Sequence, residues 1–259
     1  MRAIRLHPPG GIEGLRLDEV ALPQPRQGQV LVRVHAAAIT RGELDWLSDR
    51  LPAIPSYELS GVVVEDSDGF SADDEVFALT PFDRDGVAAD YALVPAGVLA
   101  PKPGSLSHLQ AAALPMPGLS AWQALFVHGR LTAGERFYVT GAHGGVGHVA
   151  VQLGRSRGAV LVEDGQPCDL LFDTVGGQAL AHSASQAGRI VTIAAEAPGA
   201  DYFIVEPNRE DLAEVGRLAD TGDLSPEIDS VFPLARAREA FIRTAARGKH
   251  GKVVLAVVE

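Results

Sequence analysis

The sequence predicts an α/β protein made of a β-rich part and a parallel-sheet part. Three observations carry that expectation. Residues 1 to about 112 show short strand patterns separated by Asp-Gly and Pro turns. From about Ser107 the period changes, and strand and helix patterns alternate, as they do where helices cover both faces of a parallel sheet. Between Phe137 and Arg157 the run FYVTGAHGGVGHVAVQLGRSR joins an apolar strand to a helix through a turn with almost no side chains.

Taken in order, the residues from Val30 to His35 alternate as a half-buried strand does. Further strands are expected over 61–65, 75–79 and 88–94, with turns at Asp68-Gly69 and Asp85-Gly86. Short strands at this spacing suggest a small barrel. Helices are expected over 108–114 and 119–128. Phe137, Tyr138, Val139 and Thr140 then form a buried strand, and Gly141, Gly144, Gly145 and Gly147 make the turn. Val146, Val149, Ala150 and Leu153 give the next helix one apolar face, which closes at Arg157-Gly158. Beyond it come a strand over 169–173, a helix over 177–187, a strand over 189–194 and a short strand over 202–205. Asn208 caps a helix running to Asp220, with Asp211 at its third position. A helix around 237–246 and a terminal strand over 252–258 complete the chain.

The composition narrows the function. Hydrophobic residues make up 46% of the 259 and charged residues 21%, as in a soluble globular protein. A net charge of −11 with no basic run argues against nucleic acid or an anionic membrane as partner. The lone Cys168 excludes an internal disulfide framework and a cysteine-rich zinc lobe. No apolar leader or spanning segment is visible, so the expected compartment is the cytoplasm.

A strand, a glycine turn and a helix start together make a cradle for a dinucleotide pyrophosphate, because backbone N–H groups and the positive helix end face the anion. The spacing here is G-x-x-G-x-x-G rather than G-x-G-x-x-G. By itself it also suits an ordinary βα turn whose glycines serve packing.

The run LPMPGLSAWQALFVHGRLTAGERFYVTGAHGGVGHVAVQLGR resembles the zinc-independent medium-chain dehydrogenase/reductase superfamily, in its quinone oxidoreductase and enoyl reductase branch. Supporting matches include Tyr57-Glu58-Leu59-Ser60-Gly61, Phe172-Asp173-Thr174-Val175-Gly176-Gly177, Val205-Glu206-Pro207 and Gly251-Lys252-Val253-Val254-Leu255. The resemblance implies a GroES-like catalytic domain over 1–112 and 231–259, a Rossmann-type domain over 113–230 inserted between, and a substrate cleft between the two. It implies NADPH held by Thr140, Gly141, Ala142, Gly144, Gly145, Val146, Gly147, Val175 and Gly176, and hydride transfer to a small hydrophobic enone or quinone. The nicotinamide would carry the chemistry, so no sharp catalytic triad is expected. Zinc-dependent relatives place a Cys and a Gly-His-Glu motif where this chain has Thr40 and Ser56-Tyr57-Glu58. No metal is therefore expected. His143 and His148 flank the turn and are read as solvent or phosphate-edge residues.

The chain departs from the family at two places. Where many relatives hold an Asn and a Tyr against the substrate carbonyl, it has Thr40 and the pair Asp45 and Trp46. Thr40, Asp45, Trp46 and Tyr57 are the candidate catalytic residues. Trp46 either walls an apolar cleft or fills core. Glu43 and Asp45 read as solvated loop carboxylates, and Glu58 as structural. The second departure follows Gly158, where a whole βαβ excursion is missing before Cys168-Asp169. Parallel strands of one sheet need a crossover of a dozen or more residues. On that rule, residues 160–162 either are no strand of the sheet or form an antiparallel hairpin through Asp164-Gly165. In either case the adenosine edge is lost, and Glu163 is the one remaining candidate for the ribose 2′ position, more readily a turn residue.

Two functions compete. One is NADPH-dependent reduction of an activated C=C bond. The other is a cofactor-independent, non-redox catalyst, a cyclase or isomerase of natural-product biosynthesis, reusing the cleft after loss of the adenosine site. A homodimer is expected to form through the sheet edge at Tyr202 to Val205.

Overall fold

The computed structural model describes residues 1–246 and 248–258, apart from the side chain of Ser48. Arg247 and Glu259, both in the 231–259 segment assigned above, lie outside the described residues.

The chain begins with strands β1 (Arg2–Leu6), β2 (Leu15–Glu19), β3 (Gln29–Ile39), β4 (Glu58–Val63), β5 (Glu75–Leu79), β6 (Tyr91–Pro95) and β7 (Ala100–Pro101). Helices α1 (His108–Ala112) and α2 (Pro115–Trp122) follow, and a π-helical stretch, Gln123–His128, continues α2. Then come β8 (Arg136–Thr140), α3 (Gly147–Ser156), β9 (Val160–Leu161), β10 (Cys168–Asp173), α4 (Gly177–Ser183), β11 (Ala187–Thr192) and β12 (Asp201–Tyr202). The last elements are α5 (Arg209–Asp220), β13 (Ile228–Pro233), α6 (Ala237–Ala245) and β14 (Lys252–Ala256). Against the expected ranges, β3, β4 and α2 run longer, β6 starts three residues later, and the ends expected at 114, 187, 194, 205 and 258 fall two to four residues earlier, so the strand expected over 202–205 is only Asp201–Tyr202.

Two compact units result. The first is Met1–Pro115 with Pro207–Arg217 and Pro226–Glu259; the second is Met116–Glu206 with Leu218–Ser225. The sequence-drawn boundary put all of 207–230 in the second. Gly216 of α5 instead packs beside Phe77 and Pro103 of the first unit.

In the first unit a seven-stranded sheet runs β13-β14-β3-β4-β5-β7, with β6 also pairing β3. The long β3 makes this possible. Its first half pairs antiparallel with β6 and its second half with β14. The register against β4 slips between Val34 and Ala36, so a bulge at His35 bends the strand. The small side chains Ala36, Ala38, Ala112 and Ala113 pack together with Val254, which lets α1 lie close on the sheet.

The second unit is a parallel sheet ordered β12-β11-β10-β8-β9. Phe137 of β8 is fully buried, and α3 approaches so closely that a Cβ on Gly154 would lie 2.3 Å from the Phe137 ring. A six-stranded doubly wound sheet has order 3-2-1-4-5-6, and the strand outside β9 is the one missing here.

The steric exclusion of 160–162 from the sheet is corrected. β9 is in the sheet and runs parallel to β8, with Val160 opposite Arg136 and Leu161 opposite Phe137. β10 pairs with the other flank of β8, also parallel. Residues 162–167 thus step over β8, past Tyr138, whose phenol meets Asp164. A full crossover must bring the chain back down a whole strand. β9 climbs only two residues, so a bridge that extends to roughly 20 Å is long enough. Val162 and Cys168 anchor the bridge in a buried cluster with Leu171 and Leu180.

Candidate active site

The glycine turn lies at the C-terminal end of β8, where ligands bind in open α/β sheets. Gly141 has φ +69°, and a Cβ there would press on Thr174 and Val175. A Cβ on Gly147 would sit 2.1 Å from the Gly141 carbonyl oxygen. The turn is therefore drawn tight against the start of α3. No side chain caps α3; its His148 N–H meets the Gly144 carbonyl oxygen at 3.2 Å, and the glycine turn leaves room for an anion at the positive helix end. This fits a pyrophosphate. His148 is corrected: it is 7% exposed and turned inward, its Nδ1 at 2.9 Å from the Gly144 carbonyl oxygen. His143 is exposed, as expected.

What fixes the turn is Asp173, a residue the sequence reading quoted but gave no role. Its carboxylate is fully buried and accepts the Thr140 hydroxyl at 2.5 Å and the Thr192 hydroxyl at 2.8 Å. It also accepts the Val175 N–H at 3.2 Å and the Gly176 N–H at 3.0 Å. Thr174 adds a hydroxyl bond to the Thr140 carbonyl at 2.7 Å. One carboxylate thus ties the ends of three parallel strands and joins Thr140 to Val175 and Gly176. Ala142, Gly144, Gly145 and Val146 lie on the turn that this lattice holds.

The adenosine side is thinner. β9 is the sheet edge, and its Val160 is half exposed. Glu163 is an exposed turn residue, its N–H bonded to the Gln166 side chain at 3.3 Å.

In the first unit, Thr40 directly follows β3 and joins a buried polar array. Its hydroxyl donates to Glu58 at 3.1 Å and accepts from the Lys252 ammonium at 2.9 Å. Lys252 and Glu58 form an ion pair, 5% and 0% exposed. Lys252 carried no role in the sequence expectations, although a lysine opening the apolar strand β14 was a visible signal. Glu43 is corrected outright: it is 1% exposed, not solvated. It accepts the Thr40 N–H at 2.8 Å and the Ser56 N–H at 3.0 Å. Burial pushes its pKa up to about 8, against the pull of those N–H donors and of Lys252. Ser56 holds a left-handed backbone, φ 67°, a conformation disfavoured for serine.

Beside this array stands an aromatic group. The Tyr57 ring is fully buried, 5.1 Å from Phe82 and 6.1 Å from Trp46 between centroids. The Tyr57 hydroxyl accepts from Arg50 at 3.2 Å, and burial raises its pKa although Arg50 opposes the shift. Trp46 is 43% exposed, so it surfaces the group rather than filling core. Asp45 is exposed on the 3-10 helix Glu43–Arg50 and stands outside the array. Among the described residues no three His, Cys, Asp or Glu side chains are placed to hold a metal ion. No described helix is long and apolar enough to cross a membrane.

A β-rich unit and an open parallel sheet with an uncapped glycine turn make the architecture of a dinucleotide-binding class of α/β protein. Family models agree. Residues 26–104 match the alcohol dehydrogenase GroES-like domain, and residues 145–255 match a domain described as zinc-binding dehydrogenase. The chain is 29% identical to a probable zinc-binding mitochondrial oxidoreductase of Arthroderma benhamiae, over 94% of this chain and 93% of that protein. It is 37% identical to the quinone oxidoreductase of Rattus norvegicus, over 61% of this chain and 50% of that one. The quinone oxidoreductase structure from Coxiella burnetii superposes with a TM-score of 0.89 at 25% identity, covering 100% of this chain and 99% of that one. The chain belongs to the medium-chain dehydrogenase/reductase superfamily, in its quinone oxidoreductase-like branch, and its named relatives there are oxidoreductases.

Proposed function

We propose that the protein uses NADPH to reduce the activated C=C bond of a small hydrophobic enone or quinone. The observation that carries this reading is the uncapped start of α3 drawn against Gly141 and fixed by Asp173. Residues 140–147 with Val175 and Gly176 hold the dinucleotide. When bound, the nicotinamide supplies the hydride. Trp46, Tyr57 and Phe82 offer an aromatic wall to an apolar substrate. The Thr40 hydroxyl accepts from Lys252 and donates its one proton to Glu58, so it serves a substrate oxygen only by turning that proton away from Glu58. A curated relative, the alkenal/one oxidoreductase of Arabidopsis thaliana, is named as NADPH-dependent, which supports that choice of cofactor.

The missing outer strand favours a second reading, a non-redox catalyst without nicotinamide. Titration with NADPH and NADH, followed by nicotinamide fluorescence, separates the two. The reductase reading expects saturable NADPH binding and turnover of a simple quinone. Absence of binding at millimolar cofactor would sink it and leave the non-redox reading. The reading includes a homodimer through the sheet edge at β12 and the segment to Val205 that follows it, in which Ile204 is 65% exposed. Light scattering at micromolar protein should give twice the chain mass, and a monomer mass excludes the pairing.

A further inference from the structure

The first unit holds a second cavity that the reductase reading leaves without a role. It is a recess open to solvent with a volume of about 750 Å³, within the usual range for small-molecule sites. Val20, Pro23, Ile54 and Leu93 give it an apolar wall, and Arg5 and Arg84 give it two guanidinium groups. This concentration of positive charge is unexpected in a chain with 33 acidic and 22 basic residues. Each guanidinium has only a long ion pair with a carboxylate. Arg5 comes only to 3.7 Å from Asp18, which is taken by His7 at 2.7 Å. Its other contact, the Pro52 carbonyl oxygen, lies at 3.5 Å. Arg84 comes only to 3.7 Å from Asp83, and its Nε is buried without a hydrogen-bond partner. The one carboxylate on the wall, Asp85, accepts the Ile54 N–H at 3.0 Å. Unfilled guanidinium donors beside an apolar wall match an anion of planar, two-oxygen geometry that carries a hydrocarbon tail.

We propose that this cavity binds a small amphiphilic carboxylate, its head on Arg5 and Arg84 and its tail on Val20, Pro23, Ile54 and Leu93. The site does not depend on the nicotinamide turn, so the two readings fail separately. Octanoate is the probe, titrated by calorimetry into the full-length protein without nucleotide. Octanol controls for the tail alone and inorganic phosphate for charge alone. Octanoate is expected to bind at one saturable site, with octanol and phosphate each weaker by about tenfold or more. Arg84→Gln and Arg5→Gln should each weaken octanoate by about tenfold, and Arg84→Lys should recover only part of the loss, because a lysine keeps the charge but not the fork. The Nε–H resonances of Arg5 and Arg84, assigned from Arg→Lys variants, should shift on adding octanoate to the unaltered protein. That measurement stands even if a glutamine variant fails to fold. No saturable binding, equal affinity for octanol, unchanged affinity in the double variant, or unmoved Arg84 resonances would each overturn the proposal.

Discussion

Lys252 and Glu58 are each nearly sealed from solvent, and each is the other's counter-ion. Removing one charge strands its partner in low dielectric, at a cost of about 3–5 kcal/mol. Lys252→Met should therefore show that loss in urea unfolding, and Lys252→Met with Glu58→Met together should lose less than the single change. Glu43 gives a residue-level prediction of a different kind. Its pKa is raised to about 8, from an ordinary 4.5. Between those values the folded carboxyl keeps its proton while the unfolded one ionises. Its contribution is thus complete below about pH 4.5 and is lost as pH rises through about 8. The slope is at most about 1.4 kcal/mol per pH unit. Glu43→Gln should flatten that decline in melts run from pH 5 to 8. Glu43 was misread because a Gly-Glu-Leu-Asp run looks like a solvated loop. Nothing local shows that the Thr40 and Ser56 backbones close over it.

At the scale of elements, α3 is the most legible piece. Its glycine turn, its apolar face and its close at Gly158 all follow from 3.6-residue spacing and turn chemistry. Its closeness to β8 predicts a penalty: Gly154→Ala should destabilise by about 1–3 kcal/mol, read from the denaturant midpoint, because the Phe137 ring has no room to move. Asn208 as a cap was equally readable, since its side chain accepts the Asp211 N–H at 2.9 Å. The bridge from β9 to β10 was not. The length rule for crossovers presumes strands of ordinary length, and only the tertiary pairing shows that β9 stops after two residues. The hold of α1 on the sheet was also hidden. His108 of α1 binds Ser60 of β4 at 2.8 Å and Glu75 of β5 at 3.1 Å, and its ring lies 4.2 Å from His35 of β3. Burial, then the nearby His35, lowers the His108 pKa to about 4. Acid favours the unfolded histidine, so this element loses stability as pH falls from about 6.5 to about 4. Lys102 adds to that cost, while Glu75 opposes it; Arg33 pushes the neighbouring His35 down as well. His108→Asn should remove the acid limb in circular dichroism melts.

For the whole molecule these two titrations oppose each other. Glu43 lowers stability on the alkaline side and His108 on the acid side. The melting temperature should therefore be broadest and highest between about pH 4.5 and 6.5, and fall toward pH 8. A maximum at pH 8 or above would contradict the burial of a neutral Glu43. The architecture at this scale was legible because the period change near Ser107 and the glycine turn are long-range patterns. The candidate site was legible only in part. Its members Thr40, Glu58 and Lys252 lie far apart in sequence and meet through the pairing of β3 with β14. That same pairing has a consequence for synthesis. A growing chain makes β3 early, yet its partner is translated roughly two hundred residues later. Half of β3 must wait on the ribosome as an open edge, a hold that chaperones would be expected to cover, while the strands of the intervening sheet are already complete.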